Sequence, residues 1–94
     1  MTTAPSVTLV LPSVVAMVVD TKRIATRGNT VVSALRSAFE QYPQLERHLM
    51  TESGQIRPHV LCVVNGSVVP REKAPDFRLE DGDELLIHQA ISGG

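Results

Sequence analysis

Val60-Leu-Cys-Val-Val-Asn-Gly-Ser-Val-Val69 is a run of five apolar residues, a turn pair and a short apolar return. Asn followed by Gly is the pair that best accepts the left-handed backbone of a two-residue hairpin turn, so this stretch predicts two antiparallel strands closed by Pro70. Toward the C-terminus, Arg71 to Asp76 reads as loop, Asp81-Gly82-Asp83 as a second turn, and Glu84 to Gln89, carrying Leu85, Leu86 and Ile87, as a last strand.

Working back from the hairpin, the polar stretch Thr51 to Gln55 is preceded by Leu45, Leu49 and Met50, which predict a short turn of helix. Before that, Thr30 is placed to cap a longer helix. Val31, Ala34, Leu35, Ala38, Phe39 and Tyr42 recur at three- and four-residue steps on one face, Ser33, Arg36, Ser37 and Glu40 fall on the other, and Pro43 limits it. Val7, Leu9 and Leu11 alternate with Thr8 and Val10 as a first strand ending at Pro12, and Lys22 to Thr26 predicts a second, completing a hairpin. The apolar stretch between them, Ser13 to Asp20, reads either as an extension of the first strand or as an apolar loop. The order strand, strand, helix, strand, strand, strand points to a single α+β domain over residues 1–94, with one sheet packed on one main helix.

Composition narrows the function. Hydrophobic residues at 43% and charged residues at 20% fit a folded soluble domain, and a length of 94 residues fits one core but not two. A net charge of −1 with singly scattered basic residues offers no cationic stripe for nucleic acid. The apolar stretch Val7 to Val19 is too short for a membrane span and is broken by Pro12, and the lead before it has no Lys or Arg, so a cytoplasmic protein is expected. Lone Cys62 sits in an apolar run and reads as a buried thiol, and Asn65-Gly66-Ser67 reads as a turn rather than a glycosylation site.

No nucleophile elbow, phosphate-binding loop, paired-cysteine motif or H-E-x-x-H is present. His48, His59 and His88 fall on different predicted elements, so no metal site is expected. The acidic cluster Glu80, Asp81, Asp83 and Glu84 reads as a solvated turn that, if near the end of the chain, would steer a basic partner. What remains is Ala90-Ile-Ser-Gly-Gly94, a five-residue flexible tail directly after the last strand. At a glycine usage of about 7%, two terminal glycines arise by chance in roughly one chain in two hundred. Read blandly they are a frayed end. Read chemically, two residues without Cβ make the thinnest tail that can thread a narrow channel and deliver a carboxylate to a partner's active site. That carboxylate resists nucleophiles until it is converted to a mixed anhydride.

Val7-Thr-Leu-Val-Leu-Pro12, Gly28-Asn-Thr-Val-Val-Ser-Ala-Leu35, Tyr42-Pro-Gln-Leu-Glu-Arg-His-Leu49, Arg57-Pro-His-Val-Leu-Cys-Val-Val-Asn-Gly66, Asp81-Gly-Asp-Glu84 and Ile91-Ser-Gly-Gly94 together resemble the ThiS/MoaD sulfur carriers, and Tyr42 to Val63 most resembles the CysO branch. The resemblance implies a ubiquitin-like β-grasp roll with a mixed sheet of four to five strands. It implies a protein cosubstrate rather than an enzyme. Gly94 would be adenylated by an E1-like adenylating and sulfurtransferase enzyme using ATP and magnesium, then converted to a thiocarboxylate, with Gly93, Ser92, Ile91 and Ala90 as the tail that partners grip. In the CysO branch the sulfur goes to cysteine biosynthesis on a PLP-dependent synthase, and a zinc-dependent JAMM-type peptidase releases the product. PLP and zinc would thus belong to partners, and no cofactor to this chain. The alternatives are the small subunit of molybdopterin synthase and a ubiquitin-like protein modifier. Two features depart from the family pattern. His88-Gln89 stands where proline often precedes the glycines, and the first connection is the apolar Val14-Val-Ala-Met-Val-Val19, which either folds inward or thickens a docking patch.

Overall fold

The computed structural model describes residues 4–89. The sheet has five strands, β1 (Ser6–Val10), β2 (Arg23–Arg27), β3 (Val60–Val64), β4 (Ser67–Val69) and β5 (Glu84–Gln89), in the spatial order β2-β1-β5-β3-β4. Neighbours are antiparallel except β1 and β5, which run parallel with Leu9 beside Leu85 and Val10 beside Leu86. The last strand is therefore the central one.

One face of the sheet carries the core. Val7, Leu9, Ile24, Val60, Cys62, Val64, Val69, Leu85 and Ile87 are buried there against Val31, Ala34, Leu35 and Ala38 of helix α2 (Val31–Gln41). Thr30 caps this helix as its spacing predicts. Its hydroxyl accepts from the Ser33 backbone N–H at 3.2 Å while Ser33 Oγ accepts from the Thr30 N–H at 2.9 Å, satisfying two donors that helix geometry leaves open. The buried hydroxyl of Thr26 donates to the Ala34 carbonyl at 2.8 Å and ties β2 to the helix. Helix α3 (Gln44–Leu49) follows, with Leu45 and Leu49 fully buried.

The 60–69 hairpin forms in the predicted register, Val64 opposite Ser67, with Asn65 at φ 48° and Gly66 at φ 88°. Asn65 does more than turn. Its side-chain oxygen accepts from the Glu84 N–H at 3.0 Å and its amide donates to Asp83 at 2.8 Å, fastening the hairpin to the start of β5.

The first connection differs from both sequence readings. Residues 13–19 are neither strand nor loop but a helix, α1 (Ser13–Val19), stopped by Asp20 in the left-handed conformation at φ 58°. Four valines favour extended backbone intrinsically, but the energy of burial overrides that preference. Val15 and Val19, four residues apart, enter the core while Met17 between them is exposed; a strand would put all three on one face, a helix does not. The remaining apolar positions, Val14, Met17 and Val18, form its exposed outer face, so the stretch both folds inward and leaves an apolar ridge. Arg71 to Asp76, read as loop, begins with a single 3-10 turn, Arg71–Lys73.

Candidate functional site

The residues singled out for chemistry, Ala90, Ile91, Ser92, Gly93 and Gly94, lie outside the described residues. What the structure establishes is the strand that precedes them and the surface around it. Strand β5 is hydrogen-bonded on both sides, to β1 and to β3, and Gln89, the last described residue, still pairs with Val60. The β1 ladder holds Glu84 to Leu86 and the β3 ladder Leu85 to Gln89, so backbone pairing sets the direction of the chain as far as Gln89.

The sheet face away from the helices carries a feature missed in the sequence. Arg23, Val10, Leu86, Val63 and Val68 lie side by side in one row that crosses all five strands. Four of the five are apolar, and Leu86 and Val68 are 36% and 57% exposed. Leu61, 37% exposed, pairs with His88 one step nearer the end of β5. Leu61 belongs to a run read as wholly apolar, and Leu86 to the apolar middle of the last strand. Combining the strand alternation with the hairpin register would have separated inward Leu85 and Ile87 from outward Leu86. A contiguous apolar strip on an open sheet is the common signature of a protein-docking surface.

Arg23 closes the row on the β2 side. It reaches over β1 to Glu84 of β5, with Nη2 and Oε2 at 3.0 Å. Both side chains are at least half exposed, so this pair orients the rim rather than stabilising the fold.

The acidic cluster stands just before and at the start of β5, away from Gln89. It lies at the opposite end of β5, about 17 Å from Gln89 by strand rise. Its carboxylates organise the turn: Asp83 Oδ2 accepts from the Glu80 N–H, Asp81 Oδ1 from the Ser6 N–H, and Glu84 meets Arg23. Cys62 points into the core, and burial pushes its thiol up from 9.0 to about 11, so it is a poor nucleophile. His48 lies in α3, His59 in the turn before β3 and His88 in β5, and among the described residues no group of three or more His, Cys, Asp or Glu comes together.

Against this geometry, comparison with known proteins is consistent. The model of the ThiS family matches residues 13–94, a span that includes Gly94. Small archaeal modifier protein 3 of Haloferax volcanii is 34% identical over 65 residues, covering 69% of this chain and 70% of that protein. The sulfur carrier protein ThiS of Escherichia coli is 31% identical over 51 residues, 54% of this chain and 77% of its own. Ubiquitin-related modifier 1 of Laccaria bicolor is 28% identical over 75 residues, 80% of this chain, and the chain spans 62% of that relative's length. In the crystal structure of the Amycolatopsis orientalis BexX/CysO complex, a chain superposes with a TM-score of 0.82 at 22% identity, covering 94% of this chain and 99% of that one. At that identity the likeness is one of fold, and the fold is the ubiquitin-like β-grasp roll.

Proposed function

We propose that this chain, which belongs to the ThiS family of ubiquitin-like sulfur carriers and modifiers, is a sulfur carrier whose working group is the Gly94 carboxylate. The observation that carries this reading is that the family match extends through the diglycine, joined to a chain direction fixed as far as Gln89 by the central strand. The carboxylate attacks the α-phosphorus of ATP on an E1-like partner, releasing pyrophosphate and leaving an acyl adenylate. A sulfur nucleophile then adds at the Gly94 carbonyl, AMP leaves, and a thiocarboxylate remains. ATP and magnesium are held by the partner.

This chain's contribution is positional. The row Val10, Leu86, Val63 and Val68 docks on the activating enzyme, β5 sets the direction of the chain, and Ala90 to Gly94 thread the channel to the reacting atoms. Near-attack geometry tolerates displacements well below the roughly 3.5 Å that one residue spans, so the length from Gln89 to Gly94 is part of the mechanism. In the cytoplasm the thiocarboxylate hands its sulfur to a PLP-dependent synthase in cysteine biosynthesis, and a zinc-dependent JAMM-type peptidase frees the product. The modifier names of two relatives support a second reading, in which the same adenylate ends in an isopeptide bond to a lysine.

The test is the intact mass of the protein after incubation with ATP, magnesium, sulfide and its adenylating enzyme, beside a variant lacking Gly94. A gain of one sulfur for one oxygen, absent from the variant, is expected. An unchanged mass with an enzyme shown to be active would overturn the carrier reading, and lysine-linked conjugates in its place would favour the modifier.

A further inference from the structure

On the helical side of the molecule, away from the apolar row, lies a cleft of about 460 Å³ lined by Val32 and Arg36 of α2, Gly54 to Ile56, Arg71 and Glu72 of the 3-10 turn, and Pro75. Its walls are tied together. The Val32 N–H donates to the Ala74 carbonyl and the Val31 N–H to the Phe77 carbonyl, strapping the segment after the turn to the first turn of α2. Arg71 Nε donates to the Ile56 carbonyl at 2.9 Å, so the guanidinium of Arg71 is pinned at the cleft by one of its five donors. Arg36 reaches the cleft from α2. Its Nη2 lies over the backbone of Gly54, so close that a Cβ on that glycine would stand 3.7 Å away.

Among the described residues neither guanidinium is paired with a carboxylate. Among the described residues the one ion pair is Arg23 with Glu84, so Glu72 brings no carboxylate oxygen within 4.0 Å of Arg36 or Arg71 although it lines the same cleft. Two planar cations with open donors, facing one space above the apolar surfaces of Val32, Ile56 and Pro75, are complementary to an anion on an apolar body. Forked guanidinium donors match carboxylate and phosphate oxygens, and apolar walls with a few convergent polar groups are the usual make-up of small-ligand sites.

We propose that this cleft is an oxyanion site, binding a carboxylate or phosphate carried on a small apolar group, with the anion between Arg36 and Arg71 and the body against Val32, Ile56 and Pro75. The site is independent of the sulfur-carrier reading. It lies on the other side of the sheet from the apolar row, so a ligand held here leaves the docking face free.

The experiment is an amide-resolved NMR titration of the full chain with phenyl phosphate and, separately, phenylacetate, at constant ionic strength. Saturable shifts centred on Gly54, Gln55 and Ile56 are expected, and the tighter of the two probes identifies the anionic group. Arg36→Gln, an exposed position, is expected to weaken that probe about tenfold or more, the usual scale for losing a charge-assisted hydrogen bond. Glu72→Gln is expected to tighten it by removing a like charge. Shifts that sodium chloride reproduces, or an affinity unchanged in both variants, would overturn the proposal.

Discussion

Gly28 and Ala34 touch backbone to backbone: a Cβ on Gly28 would lie 2.6 Å from the Ala34 Cα and closer still to its nitrogen. Six residues apart in sequence, they mark where the end of β2 meets the first turns of α2. Backbone cannot step aside as a side chain can. Gly28→Ala is therefore expected to destabilise the fold by about 1–3 kcal/mol or more through overpacking. Gly82→Ala tests whether space is the cause, because Gly82 has open space around it and only its φ of 90° to lose. Thermal melts of the two variants compare the effects, and a Gly28→Ala protein as stable as the wild type would refute the contact.

Helix α1 offers a test by sign. Val14 is 68% exposed, so little packing is lost when it is shortened. In a helix, Val14→Ala should raise stability by a few tenths of a kcal/mol, since alanine has the better helix propensity. In a strand the same change would lower it. Urea denaturation midpoints of the two proteins distinguish the cases.

Adjacent residues on β5 separate docking from folding. Leu85 is fully buried and Leu86 is 36% exposed on the open face. Leu85→Ala is expected to cost about 2–5 kcal/mol of stability. Leu86→Ser should alter the melting temperature far less, while raising the KM for this protein with its adenylating enzyme tenfold or more, as loss of a central apolar contact does. Equal KM values for Leu86→Ser and wild type would remove the apolar row from the docking surface.

Cys62 gives a pH prediction. Its thiol titrates at about 11 in the fold against 9.0 ordinarily, because burial disfavours the thiolate. The folded state thus keeps a proton that the unfolded state loses first. The contribution is fully present below pH 9 and is lost as pH rises from 9 toward 11. Comparing the stability of wild type with Cys62→Val across pH 7–11 isolates this slope from that of other groups. A pH-independent difference would contradict the burial, as would rapid alkylation of the native thiol at pH 8.

Much of this architecture was readable from local signals. Asn65-Gly66 predicted its hairpin, and the spacing from Val31 to Tyr42 with Thr30 before it predicted α2, because in both cases side-chain pattern and backbone chemistry agree. Where they conflict, at residues 13–19, the valines point to extended structure, and the helix that buries Val15 and Val19 while leaving Met17 outside prevails. The sheet order was beyond local reading. Nothing in Val7 to Leu11 or Glu84 to Gln89 states that they pair in parallel across more than seventy residues, and the apolar row on the open face exists only once they do. The acidic turn stands where its sequence reading puts it, just before β5. The tail is read from its chemistry and from the family resemblance, and it lies outside the described residues.

Synthesis order gives the central position of β5 a final consequence. On the ribosome, β1 and β3 emerge long before the strand that must separate them, and until Leu85 and Ile87 arrive the sheet has no middle. A released chain truncated before Glu84 should show no protease-resistant core in pulse digestion, whereas one ending just after Gln89 should. Core formation thus waits for the segment that leads into the diglycine, and a product truncated before it would lack the row of Val10, Leu86, Val63 and Val68 on the open face.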